Sequence, residues 1–142
     1  MKSEFSNKEV GDIWTGYILG RLFEKHPKRI DVTYEDTYAA TGVFPVADDP
    51  KEMWDDLIVW LNDHRFIAYK QSYTTLSGGS SFFGVCLTER GLRTLSTTPS
   101  VLAEKTSVGD ALSGLVKQPT QNAISALMGE IVGGFLKGLT GA

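Results

Sequence analysis

The sequence has little of the residues that build disulfides and metal centres. Its 142 residues include one cysteine and two histidines. A single cysteine cannot form an internal disulfide, so nothing indicates an oxidising compartment. His26 and His64 have no partner at metal-ligand spacing, and Cys86 lies between apolar residues, where a buried structural thiol is expected. We therefore expect no enzymatic activity, no bound metal and no cofactor.

The sequence also lacks a long uncharged apolar run. A transmembrane helix needs about 20 consecutive apolar residues, and no segment reaches that length. The first ten residues are polar with charges of both signs, unlike a signal peptide. A hydrophobic content of 42% and a net charge of −3 are typical of a globular protein in solution. These features predict a cytoplasmic protein.

Aromatic residues are almost missing from the last third of the chain. Of fifteen aromatic residues, fourteen lie at or before Phe83, whereas seven of the fifteen glycines lie between Gly109 and Gly141. This change of composition predicts a well-packed domain over residues 1–95. A linker with a weak helix is expected over residues 96–119, and a glycine-rich amphipathic helix over residues 120–142.

The apolar spacing predicts three helices in residues 7–63, each preceded by a capping side chain. The candidate caps are Ser6 or Asn7, Thr33, and Asp49. Beyond the third helix the period changes from about 3.6 to about 2. This predicts a strand over 66–76, a turn over 77–80 and a returning strand over 81–87. A short helix over 88–95 would close the domain.

The order helix, short strand, helix, helix, strand, glycine turn, strand resembles the winged helix-turn-helix family over residues 8–95. Residues 57–67 look like a third helix leading into the first wing strand, and Leu87-Thr88-Glu89-Arg90-Gly91 is similar to the L-T-x-x-G exit after the second wing strand. The resemblance implies an α+β fold of three helices plus a β-hairpin wing, here followed by C-terminal helices. It leaves function open, because the fold serves both nucleic-acid readers and protein-binding modules.

The predicted third helix is acidic, unlike the third helix of DNA-binding relatives, which enters the major groove. Residues 48–63 carry six acidic side chains against one lysine, and residues 71–81 of the wing contain no basic residue. Because DNA binding depends on Lys and Arg neutralising phosphates, this pattern favours a protein partner. The candidate interaction residues are Asp48, Asp49, Glu52, Asp55 and Asp56.

A DNA-binding regulator is the alternative, and it would require another basic surface. The candidate phosphate contacts near the end of the first helix are Arg21, Lys25, Lys28 and Arg29. Arg65, Lys70, Arg90 and Arg93 are scattered in the sequence and would form a surface only if the fold brought them together.

The predicted C-terminal helix has one continuous apolar face. Its members are Ile124, Leu127, Met128, Ile131, Val132, Phe135, Leu136 and Leu139. The opposite side is rich in glycine and alanine, which would allow two helix backbones to approach closely. Three destinations are possible: packing on its own domain, self-association, or a membrane surface. The leading hypothesis is a non-enzymatic regulatory or adaptor protein that binds a protein partner and self-associates through this helix.

Overall fold

The computed structural model describes residues 5–46, 48–74, 80–96, 107–116 and 131–132. Its described elements are five helices and four strands. The helices are α1 (Asn7–Lys25), α2 (Tyr34–Thr41), α3 (Pro50–Asp63), α4 (Glu89–Leu95) and α5 (Val108–Val116). The strands are β1 (Ile30–Thr33), β2 (Ile67–Ala68), β3 (Gln71–Thr74) and β4 (Ser80–Leu87). The fold is therefore mixed α+β.

The predicted caps begin the first three helices. At α1, the hydroxyl of Ser6 accepts from the backbone N–H of Glu9 at 3.2 Å, and the Glu9 carboxylate accepts from the Ser6 N–H at 2.8 Å. At α2, the Thr33 hydroxyl accepts from the Asp36 N–H at 3.1 Å. The Asp49 carboxylate accepts from two first-turn N–H groups of α3. Each cap satisfies backbone donors that have no partner inside their own helix.

All described strand pairs are antiparallel, and β4 lies in the centre of the sheet. β1 pairs with one edge of β4, while β2 and β3 pair in succession with the other edge. The prediction of one strand over 66–76 is therefore wrong in detail. The interruption falls where the register places Lys70 opposite Gly84, whose φ of 68° departs from extended backbone.

Aromatic side chains connect the helices to the sheet through the core. The ring of Trp14 on α1 contacts Tyr34 on α2, which contacts Trp54 on α3, with centroid distances of 5.8 and 6.5 Å. Trp54 contacts Phe82 on β4 at 5.5 Å, and Phe82 contacts Tyr69 at 4.9 Å. Both tryptophans have no solvent exposure. Burial of these large rings stabilises the packing of α3 on the sheet.

α5 packs against α1, and glycines allow the close approach. A Cβ atom at Gly20 would lie 2.9 Å from the backbone carbonyl carbon and oxygen of Leu112. A Cβ at Gly109 would lie 2.5 Å from the Phe23 ring. The four-residue spacing of Gly16 and Gly20 inside α1 predicts that another element packs closely there. The contact at Gly20 confirms this prediction. That element comes from the segment interpreted as a linker with a weak helix.

Two residues of the predicted C-terminal apolar face are described, and both are buried. Ile131 and Val132 are helical, with exposures of 5% and 0%, and belong to the same core cluster as α1 and α3. The other six members of that face lie outside the described residues, as do residues 77–79 of the predicted turn. The last residue of that predicted turn, Ser80, is instead the first residue of β4. Among the described helices, none combines the length and apolar character needed to cross a membrane.

Candidate functional site

α3 buries one side in the core and presents the other side to solvent. Trp54, Ile58 and Leu61 are fully buried. The exposed positions, which we call the α3 outer face, are Glu52, Asp56, Val59, Trp60 and Asp63. Three of these residues are acidic, none is basic, and Val59 and Trp60 are 42% and 37% exposed. The α3 outer face is therefore a mixed acidic and apolar surface.

The structure divides the five predicted acidic interaction residues into two groups. Three of them contact other parts of the structure: Asp48 accepts a hydrogen bond from the side-chain amide of the first residue of α1, Asp49 caps α3, and Asp55 contacts the sheet. Glu52 and Asp56 are exposed on the α3 outer face. These two carboxylates are the members of the predicted set that are best placed to meet a partner.

Asp55 connects α3 to the sheet. Its Oδ2 accepts a hydrogen bond from the Ser80 hydroxyl at 2.8 Å, and the same hydroxyl lies 3.2 Å from the Thr74 hydroxyl. Oδ1 is buried without a hydrogen-bond partner among the described residues. Burial raises the pKa of Asp55, while the hydrogen bonds from Ser80 act in the opposite direction. Asp55 therefore has a structural position rather than an exposed one.

A cleft of about 680 Å³ lies between the end of α3, β2 and α4. We call it the arginine cleft. Its lining residues are Asn62, Arg65, Ile67, Ala68, Thr88, Glu89, Arg90, Arg93 and Thr94. With three arginines and one glutamate, the lining carries a formal charge of +2. This surface joins residues that are more than twenty positions apart in the sequence.

Backbone contacts hold α4 against the turn that follows α3. Arg65 has a φ of 64°, and its carbonyl oxygen accepts a hydrogen bond from the Thr88 hydroxyl. The Thr88 N–H donates to the carbonyl of Phe66 at 3.1 Å. A Cβ at Gly91 would lie only 2.1 Å from that same oxygen, so glycine is required for this approach. The Leu-Thr-x-x-Gly segment thereby carries the arginines of α4 to the end of α3.

Two of the three guanidinium groups have a restraining neighbour. Arg90 lies over the Phe66 ring, 5.0 Å from its centroid. Arg93 lies 3.5 Å from the Glu89 carboxylate, and both side chains are largely exposed. A cation over an aromatic face and an exposed ion pair each contribute on the order of 0.5–1 kcal/mol. The contacts therefore orient Arg90 and Arg93 without removing their charge from solvent.

The predicted phosphate contacts lie in the last two turns of α1 and in the segment that follows it. Arg29 donates from Nη1 to the Gly84 carbonyl at 2.7 Å and so connects this turn to β4. Arg21 contacts Tyr17. Burial raises the pKa of Tyr17, and the nearby Arg21 guanidinium offsets only part of this increase. The remaining members, Lys25 and Lys28, are exposed.

A second exposed apolar surface, the apolar patch, lies on α2 and the segment after it. It consists of Tyr38, Phe44 and Val46, which are 42%, 50% and 67% exposed. The Tyr38 and Phe44 rings contact each other edge to face, with centroids 5.9 Å apart. Large exposed aromatic side chains of this kind are enriched at protein interfaces.

The described residues contain no cluster of three or more His, Cys, Asp or Glu side chains arranged to hold a metal. Cys86 is half-buried in β4. Comparison with protein-family models, with curated proteins and with solved structures found no significant match to this chain. The candidate surfaces are therefore the α3 outer face, the apolar patch and the arginine cleft.

Proposed function

We propose that residues 8–95 form a winged helix that acts as a non-enzymatic protein-binding module in a regulatory or adaptor role. The order of α1, β1, α2, α3 and the later strands supports this arrangement. So does the antiparallel pairing of β1 and of β2 and β3 with the two edges of β4. In this arrangement α3 occupies the position of the helix that reads DNA in nucleic-acid-binding relatives.

The observation that carries the proposal is the composition of the α3 outer face. Glu52, Asp56 and Asp63 would repel phosphates, because DNA binding requires positive side chains that release counterions. Exposed Val59 and Trp60 between these carboxylates would instead contact the apolar part of a protein surface. The matching partner is a protein surface with lysine or arginine side chains around an apolar centre.

A titration with labelled random duplex DNA separates this proposal from the DNA-binding alternative. We expect fluorescence anisotropy of the full chain to show no DNA binding at about 50 mM salt, because the acidic α3 outer face would repel phosphates. Low salt makes this test stringent, since electrostatic contacts with DNA are strongest there. Binding that weakens steeply as salt increases would contradict the proposal and support a DNA-binding regulator.

Charge reversal tests the α3 outer face directly. The variant Glu52→Lys with Asp56→Lys reverses two exposed carboxylates on α3, and the matched control Glu24→Lys with Asp36→Lys makes the same change of charge on α1 and α2. Affinity capture should recover the same proteins with wild type and control but lose them with the α3 variant. Equal recovery with all three proteins would refute the proposed surface. Far-UV circular dichroism checks that each variant is folded.

Self-association through residues 120–142 remains a separate prediction of this proposal. Burial of Ile131 and Val132 in the core of their own chain removes these two residues from a face between copies. Light scattering of the full chain at increasing concentration measures the outcome. A mass above the 15.5 kDa of one chain supports assembly, and a constant monomer mass rejects it.

A further inference from the structure

We propose that the arginine cleft binds a small molecule that carries a phosphate group. This site is separate from the α3 outer face, and it requires only the described residues at the end of α3, in β2 and in α4. Arg65, Arg90 and Arg93 supply the positive charge, and the side-chain amide of Asn62 adds a hydrogen-bond donor.

The charge of the lining matches a phosphate monoester. Three arginines and Glu89 leave a formal charge of +2, and a phosphate monoester carries about −1.5 to −2 near neutral pH. A ligand carboxylate carries a single negative charge, so it would leave one guanidinium of the cleft without an anionic partner. Arginine is suited to this recognition because its planar N–H groups can donate to two oxygens of one phosphate.

The geometry restrains the arginines before a ligand arrives. Arg90 lies over the Phe66 ring, and Arg93 lies beside Glu89. Arg65 extends from a turn whose carbonyl is held by the Thr88 hydroxyl. Such restraint lowers the entropy that a ligand must remove on binding. A ligand phosphate would replace Glu89 as the closest anion to Arg93.

The size and floor of the cleft favour a small molecule with an apolar part. Its volume of about 680 Å³ is within the range of small-molecule sites, about 300–1,000 Å³. Half-buried Ala68 provides apolar surface beside the charged groups, above the buried side chain of Ile67. A DNA duplex fits this place poorly, because Asp63 of the acidic α3 outer face directly follows Asn62 of the lining.

Isothermal titration calorimetry of the full chain tests the proposal with phenyl phosphate as the probe, at about 0.15 M salt to screen nonspecific attraction. Inorganic phosphate tests the charge without an apolar part, and benzoate tests the apolar part with a carboxylate. Phenyl phosphate is expected to bind more tightly than either. The absence of binding at about 10 mM phenyl phosphate, a concentration that reveals even millimolar affinity, would overturn the proposal.

Two arginine variants and a matched control locate the binding. Arg65→Gln and Arg90→Gln should each weaken phenyl phosphate binding about tenfold or more, because each removes a charge-assisted hydrogen bond. The control Lys25→Gln with Lys28→Gln removes two positive charges outside the cleft and should change affinity by less than about twofold. Equal weakening by the control would show nonspecific attraction and reject the site.

A gain-of-binding variant keeps the test informative if an arginine variant fails to fold. Glu89→Gln removes the negative charge of the lining and should tighten phenyl phosphate binding by about threefold or more. Unchanged or weaker binding by this variant contradicts the proposal. Displacement of phenyl phosphate by duplex DNA, with loss of DNA binding in Arg65→Gln, would assign the cleft to nucleic acid instead and reject a small-molecule site.

Discussion

Replacing Gly20 with alanine adds one methyl group where the backbones of α1 and α5 come together. The new Cβ would lie 2.9 Å from the carbonyl carbon and oxygen of Leu112, a distance that Cβ atoms essentially never adopt. These neighbours are backbone atoms, so they cannot rotate away as the end of a long side chain can. α5 must therefore move as a unit, and Leu112, which is fully buried, must move with it.

Two opposing effects determine the size of the change. Alanine is favoured over glycine inside a helix by about 1 kcal/mol. Forcing an extra methyl group into a packed interface costs about 1–3 kcal/mol, and the rigid neighbour places Gly20→Ala near the upper end. We expect a net destabilisation of about 2 kcal/mol. At Gly11, on the same helix, the new Cβ would only reach Met53 Cε at 4.0 Å. Gly11→Ala should therefore stabilise the protein by up to about 1 kcal/mol.

Urea unfolding measured by far-UV circular dichroism compares the two variants with wild type. Because the substitution and the helix are the same, the difference between Gly20→Ala and Gly11→Ala isolates the contact with α5. The expected difference is about 3 kcal/mol, with opposite signs relative to wild type. If Gly20→Ala stabilised the protein as much as Gly11→Ala, α5 would not pack at this point of α1.

Three further predictions follow from individual contacts. Thr37→Val should lower the free energy of unfolding in urea by about 1–3 kcal/mol, because the buried indole N–H of Trp54 loses the Thr37 hydroxyl that accepts its hydrogen bond at 3.1 Å. An unchanged free energy would show that another acceptor replaces this hydroxyl. Asp49→Ala should lower the free energy of unfolding by about 1 kcal/mol, because the cap of α3 is lost. Asp56→Ala, on the α3 outer face, should lower it by less than about 0.5 kcal/mol. Equal losses would contradict the separation of the acidic residues into two groups. Burial raises the pKa of Asp55 above its usual 3.8, so the folded state holds this proton more tightly and stability falls as pH rises from 3.8 to the folded-state pKa. Asp55→Asn should therefore gain stability relative to wild type through that pH window, and a pH-independent difference in urea unfolding would refute this linkage.

Local signals in the sequence were sufficient for the starts of the first three helices. The hydroxyls of Ser6 and Thr33 and the carboxylate of Asp49 cap helices because each needs only backbone groups two or three residues away. The same applies to Gly42, which the sequence predicts as the C-cap of the second helix and whose φ of 70° ends α2. The interruption between β2 and β3 was not predicted, because it depends on the irregular backbone at Gly84 in a different strand.

The candidate surfaces required information from several elements at once. Composition showed that α3 is acidic, but burial separated exposed Glu52 and Asp56 from Asp55, which contacts Ser80. The Leu-Thr-x-x-Gly segment at residues 87–91 is the local signal for the arginine cleft, because Thr88 and Gly91 make the backbone contacts that hold α4 against the turn after α3. Without the approach of Gly91 to the Phe66 carbonyl, the arginines of α4 remain only scattered residues.

By itself the sequence determined the α+β class, the caps, the acidic character of α3 and the glycine in α1 that marks a close approach. These properties depend on nearest neighbours and on the periodicity of apolar residues, which a linear sequence contains. The tertiary structure alone decided that α5 is the element packed at Gly20, that Ile131 and Val132 enter the core, and that three arginines share one cleft. These outcomes depend on contacts between distant segments, where the fit of backbone and side chains in three dimensions decides which surfaces meet.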